Sequence, residues 1–108
     1  ARALRRTLDQ LYPNRSVTFL LAFLEDKDIE GFGRTLLRPG DTVIVTQVDH
    51  PRHMPARLAE KRIRAVFPQN QGICALTNNI RIAWQKALKM GKSNPIVVTG
   101  SFKLLEEF

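Results

Sequence analysis

The sequence predicts an α/β fold, a Rossmann-like three-layer αβα domain around a mostly parallel sheet of at least four strands. Three observations predict it. Short apolar runs alternate along the chain with segments whose apolar residues recur at helical spacing. The runs are apolar at consecutive positions rather than at every second one, as in strands covered on both faces. The length, 108 residues, suits one domain with a packed core and leaves little room for two.

Leu4, Leu8, Leu11 and Tyr12 share one face of an opening helix, which Pro13 and Asn14 end. Val17 to Leu24 is a nearly unbroken apolar run and reads as the first strand. Asp28 can cap a helix whose inner face is Ile29, Phe32, Leu36 and Leu37. Pro39-Gly40 is a turn, and Asp41 to Gln47 reads as the second strand. After a polar stretch, a helix starts around Pro55 and runs towards Val66, before Pro68. Gly72 to Leu76 is a third strand. Asn78 or Asn79 caps a helix with Ile80, Ala83, Trp84, Ala87 and Leu88 inward, ended by Gly91. Asn94 to Thr99 is a fourth strand, and Gly100-Ser101 turns into a final segment rich in Leu and Glu. Alternation of this kind gives a parallel sheet with helices on both faces. Such a domain ordinarily starts on a strand, whereas this chain starts at Ala1 inside a helix, so a strand upstream is expected to be missing.

Composition narrows the function classes. With 44% hydrophobic residues the chain is no disordered tail, and its longest apolar stretch is far short of a membrane span. One cysteine, Cys74, allows no internal disulfide and fits a reduced, cytoplasmic compartment. The 17 Lys+Arg against 10 Asp+Glu give a net charge of +7, which suggests an anionic partner. Nucleic acid is one such partner. Against it, the basic residues are spread over the polar faces of three helices, and Trp84 and most phenylalanines sit in apolar stripes rather than on a stacking platform. Gly91-Lys92-Ser93 imitates the end of a P-loop, but Lys86 stands where the first glycine is required and a helix, not a strand, precedes it.

In open parallel sheets, ligands bind outside the carboxyl ends of the strands. That rule selects Glu25, Asp26, Lys27 and Asp28 after the first strand, and Asp49, His50, Arg52 and His53 after the second. It adds Thr77 and Asn78 after the third, and Gly100, Ser101 and Lys103 after the fourth. Each has a plain structural alternative. Asp28 reads first as a helix cap. Lys27 is either a solvated ion pair or a point charge for a carboxylate or phosphate. His50 and His53 are two possible ligands without a third, so no metal site is expected. Ser101 is either an N-cap or part of an anion site at a helix start.

Several of these segments, in this order and spacing, carry a family resemblance: Leu11-Tyr12-Pro13, the strand leading to Asp26-Lys27-Asp28, Pro51-Arg52 with Pro55-Ala56, and Val98-Thr99-Gly100-Ser101-Phe102. Together they resemble the C-terminal domain of folylpolyglutamate synthases and dihydrofolate synthases, members of the Mur ligase superfamily, over nearly the whole of residues 1–108. The resemblance implies an ATP-dependent ligase. ATP phosphorylates a folate or dihydropteroate carboxylate, and L-glutamate attacks the acyl phosphate. It further implies that ATP and Mg2+ are bound mainly by an N-terminal P-loop domain of the same chain, with no catalytic residue within these 108 residues. Asp26, Lys27, Asp28 and Ser101 would face the glutamate, with His50, Arg52 and His53 on the cleft rim as nucleotide or substrate contacts.

Two departures bear on this. The family often has Gly four residues before the first Asp of the motif, where this chain has Ala22. The family's Asp-x-x-His-Asn-Pro segment would lie just upstream of Ala1, so an N-terminally truncated domain without ligase activity of its own is expected. A different Mur-type amino-acid ligase domain and a basic nucleic-acid-binding α/β module are the alternatives.

Overall fold

The computed structural model describes residues 2–67, 80–91 and 94–99, and the backbone of residues 73–75. The order is α1 (Arg2–Leu11), β1 (Thr18–Leu21), α2 (Ile29–Leu36), β2 (Thr42–Val45), α3 (Ala56–Val66), β3 (Ile73–Ala75), α4 (Ile80–Gly91) and β4 (Ile96–Thr99). The expected final segment, the caps at Asn78 and Asn79, and Thr77, Gly100, Ser101 and Lys103 lie outside the described residues.

The four strands form one parallel sheet in the order β3-β2-β1-β4. Leu21 stands beside Val45 on one side and Thr99 on the other. Alternate residues of the central strands supply two cores. Phe19, Leu21, Val43 and Val45 pack with Leu8, Ile29, Leu36, Ala59 and Ile63 of the helices α1, α2 and α3. Leu20 and Ile44 point the other way, onto Ala83 and Ala87 of α4. This is why β1 and β2 carry apolar residues at consecutive positions: neither face of these central strands meets water. The chain lays β1, β2 and β3 side by side, then returns past β1 to add β4. The direction of sheet growth therefore reverses at β1, and it is at the carboxyl ends of the strands beside such a reversal that open parallel sheets bind their ligands.

Two helical faces differ from expectation. Leu11 is 65% exposed and Leu88 49% exposed, although both continue a hydrophobic stripe. In α1 the buried positions are Arg5 and Leu8, with Leu4 and Tyr12 half-buried. In α4 the last turn buries Gly91 in place of Leu88. A Cβ at Gly91 would lie 2.9 Å from Thr18 Oγ1, so only glycine lets the helix end this close to β1. Gly40 is fixed by the backbone itself, at φ +95° in the turn before β2.

The buried Arg5 is tied into an ionic node beneath the amino ends of the strands. Its Nη1 donates to Asp41 Oδ2 at 3.0 Å and to the Leu36 carbonyl at 3.2 Å. Asp41, only 3% exposed, also accepts from the backbone N–H groups of Val17 and Arg38. Asp9 accepts from Arg5 and, on its outer side, from Arg38 at 2.8 and 2.6 Å. Between α2 and α3, Arg62 clasps Glu30 through Nε and Nη2. These hydrogen bonds hold the Glu30 carboxyl down at about 2.

Arg5→Ala is expected to cost about 3–5 kcal/mol in urea unfolding, because it strands the buried Asp41 charge. Arg38→Ala, at the exposed edge of the node, costs much less. Glu30 makes a different signature. Its ordinary value is 4.5, so the stability it adds is fully present above that pH and is lost as pH falls towards about 2. The stability gap between the native chain and Glu30→Gln should be flat from pH 7 to 5 and close on acidification to pH 2, a comparison made by urea unfolding at each pH. A gap that widens in acid contradicts the assignment.

Candidate functional site

The carboxyl end of β1 opens into a cleft of about 790 Å³ lined by Arg2, Asp26, Lys27, Asp28, Gly31, Phe32 and Thr35. Two helix starts and one loop build it. Arg2 begins α1, Asp28 caps α2, and Asp26 and Lys27 lie in the turn between β1 and α2. The turn closes through the Lys27 N–H on the Leu24 carbonyl at 3.2 Å. The Asp28 Oδ1 accepts from the Gly31 N–H at 3.1 Å, which fixes the start of α2. A Cβ at Gly31 would run into that same carboxylate, so the cap and the glycine belong together.

Lys27 is not held between its neighbouring aspartates. Its Nζ stands 5.1 Å from the centroid of the Phe32 ring, and Phe32 in turn packs edge-to-face on the fully buried Phe23, with centroids 5.2 Å apart. The exposed ammonium is thus positioned from the core outward. Asp26 leans the other way, with its Oδ2 3.4 Å from Arg52 Nη2. Arg52 Nε also donates to Glu25 Oε1 at 3.0 Å. The hydrogen bond that Arg52 donates to Glu25, with the charges of Asp26 and Glu25, raises the Arg52 guanidinium above its ordinary value.

Backbone pairing backs this side-chain clasp. The Glu25 N–H donates to the Arg52 carbonyl at 2.8 Å, the Met54 N–H donates to the Phe23 carbonyl at 2.9 Å, and Leu24 bridges His53 in antiparallel sense. The loops after β1 and β2 are therefore zipped together. Of the residues expected on the rim, none of His50, Arg52 and His53 lines the cleft itself, and Arg52 reaches it through Asp26.

The histidines organise the second loop. His50 Nδ1 accepts from the Arg52 N–H at 3.0 Å. His53 Nδ1 lies 2.8 Å from the His50 carbonyl, and its Nε2 lies 3.4 Å from Gln47 Nε2. Gln47 Oε1 accepts from the Ala56 N–H, which makes its Nε2 the donor and places the His53 ring proton on Nδ1. Gln47 thereby caps α3, whose N-cap position is Pro55 and offers no side-chain acceptor. Among the described residues, no group of three or more His, Cys, Asp and Glu side chains could hold a metal ion. Sequence reasoning brought out the Asp26–Asp28 turn but missed Arg2, Phe32, Thr35 and Gln47. The first three sit at the cleft by helix packing, and none carries a local signal for that.

The chain matches, over residues 1–108, the family described as dihydrofolate synthetase, C-terminal domain. It is 32% identical over 95 residues to a probable dihydrofolate synthetase of Schizosaccharomyces pombe, an alignment covering 85% of this chain and 23% of that protein. Its fold is similar to that of a Mycobacterium tuberculosis folylpolyglutamate synthase complexed with ADP and AMPPCP, with TM-score 0.85, 24% identity, and coverage of 98% of this chain and 25% of that one. A bifunctional folylpolyglutamate synthase/dihydrofolate synthase of Yersinia pestis, complexed with AMPPNP and Mn ion, matches with TM-score 0.74, 22% identity, and coverage of 96% and 23%. At these identities the structural likeness speaks for the fold. The chain spans about a quarter of the length of each of these relatives.

The double duty of Asp28 can be separated by substitution. Asp28→Ala should lose about 1 kcal/mol in urea unfolding through the missing cap, whereas Asp28→Asn keeps the acceptor and should stay within a few tenths of the native value. Equal losses in both would mean that the charge, not the cap, stabilises α2.

Proposed function

The chain belongs to the dihydrofolate synthetase C-terminal domain family, and from that membership we propose that it forms the closing domain of an ATP-dependent ligase that joins L-glutamate to dihydropteroate or folate. The observation that carries the reading is the mixed-sign cleft at the carboxyl end of β1, with Lys27 and Arg2 beside Asp26 and Asp28. An amino acid offers carboxylates and an ammonium together. Lys27 and Arg2 suit the carboxylates, and Asp26 or Asp28 suits the ammonium.

In this proposal the acceptor carboxylate takes the γ-phosphoryl group of ATP, the glutamate amine attacks the acyl phosphate, and inorganic phosphate leaves. The domain's part is orientation. It holds glutamate with its amine facing the activated carboxyl and covers that step from water. Ser101, two residues beyond β4, is proposed as a further glutamate contact. Arg52 acts indirectly, by holding Asp26 in place.

The described residues offer no convergent acidic group for Mg2+. We therefore assign the metal and most of the nucleotide contacts to an N-terminal P-loop domain of the same, longer chain. On that assignment the 108 residues alone have no ligase activity. No described helix is long and apolar enough to cross a membrane, and a cytoplasmic setting is proposed from the lone Cys74.

The test is kinetic and uses the full-length enzyme. Lys27→Ala should raise KM for glutamate about tenfold while moving KM for ATP far less, as expected for one lost charge-assisted contact. Equal changes in both would assign Lys27 to domain closure rather than to glutamate. Steeply salt-dependent binding of the chain to random DNA or RNA, with no response to glutamate, would favour the nucleic-acid module instead.

A further inference from the structure

A second groove, of about 420 Å³, runs between α1 and α2 away from the cleft, lined by Arg2, Arg5, Arg6, Asp9, Thr35 and Arg38. Arg2 and Thr35 line both, so the two are contiguous, whereas Lys27 lines only the cleft and Arg6 only the groove. Four guanidinium groups share this small volume with one carboxylate, and that carboxylate is already satisfied. Asp9 Oδ1 accepts from Arg5 and from Arg38, and its Oδ2 accepts from Arg38.

What remains is an excess of donors. Arg38 has five N–H groups, two of them on Asp9, which leaves three. Arg2 and Arg6, both exposed, have no carboxylate within ion-pair distance among the described residues. They lie four apart on α1 and therefore on one side of it. The Thr35 hydroxyl adds a neutral donor. The floor is rigid, since Arg5 is fixed by Asp41, Asp9 and the Leu36 carbonyl.

We propose that this groove is a second anion site, built for the phosphate group of a small molecule. Forked donors converging from α1 and from the turn after α2 match an anion with three terminal oxygens and more than one charge better than a single carboxylate. The bound group would lie between Arg2, Arg6 and Arg38, with Thr35 donating beneath it. Arg2 and Thr35 line both sites, so the proposal rests on Arg6 and Arg38, which line the groove and not the cleft.

The experiment is calorimetric titration of the 108-residue chain with pyrophosphate, ADP and trisodium citrate at constant ionic strength, the last as a polycarboxylate control. Pyrophosphate should bind, and Arg6→Glu should weaken it at least about tenfold, as expected for a lost charge-assisted contact. Lys27→Ala should leave it unchanged. Because Arg6 is exposed and without a carboxylate partner, the far-ultraviolet circular dichroism of Arg6→Glu should match that of the native chain. ADP binding tighter than pyrophosphate, with the same response to Arg6→Glu, would identify a nucleotide as the source of the phosphate. Citrate binding as tightly as pyrophosphate, loss of binding in Lys27→Ala, or no effect of Arg6→Glu would each overturn the proposal.

Discussion

The contact on which the rest of the structure hangs is the buried pair of Arg5 and Asp41. A charge removed from water is tolerated only when its partners are in place, and each member here is fully engaged. Asp41 holds three chain segments at once: α1 through Arg5, the entry to β1 through the Val17 N–H, and the turn before β2 through the Arg38 N–H. Arg5 adds the last carbonyl of α2, at Leu36, where a cation is favoured by the helix dipole. Outside this pair, Asp9 is buried enough to raise its carboxyl, yet the hydrogen bonds of Arg38 and Arg5 outweigh that and leave it below its ordinary value. Charges of alternating sign thus run from the interior to the surface without a gap.

This node lies towards the amino ends of the strands and the cleft at the carboxyl end of β1, with Arg2 and Thr35 lining the space between them. Helix α1 is anchored by Leu8, with Leu4 and Tyr12 half-buried against the same core, and by the node. Because α1 is held there, its first residue, Arg2, comes to stand across from Asp26, Lys27 and Asp28. The ionic node lies at the amino ends of the strands, and the candidate cleft is built by a loop at the carboxyl end of β1, the end at which open parallel sheets bind ligands.

The strands and the Asp28 cap were legible because their causes are local: a continuous apolar run, and a carboxylate three residues before the Gly31 N–H it accepts from. The inner face of α2 was legible for the same reason, as Ile29, Leu36 and Leu37 are buried where the spacing put them. The face of α1 was not. Its hydrophobic spacing placed Leu11 inside, but the buried position went to Arg5, whose partner is 36 residues away in sequence. A periodicity argument has no term for a charge neutralised at that distance. The same limit hid Gln47 as the cap of α3, and Arg2 and Thr35 as cleft residues, because each acquires its role through packing between elements. Arg52 was expected on the cleft rim as a ligand contact, but it does not line the cleft and instead pairs with Asp26, a contact that exists only when two loops pair.

The net charge of +7 also looks different once its partners are known. The ion pairs named above all use arginine, and they engage Asp9, Glu25, Asp26, Glu30 and Asp41. At the cleft this pairing solves a local problem. Asp26, Lys27 and Asp28 are consecutive, and left alone the ammonium and the carboxylates would neutralise one another and offer little to a ligand. Each has instead been given a different partner: Arg52 for Asp26, the Phe32 ring for Lys27, and the Gly31 N–H for Asp28. An aromatic face attracts an ammonium without supplying a counter-charge, so Lys27 is held in place by a neutral partner. A site meant for an anion alone would gain from removing the two aspartates, and a site meant for a cation alone would gain from removing the lysine. Keeping both signs, and keeping them apart, suits a zwitterion.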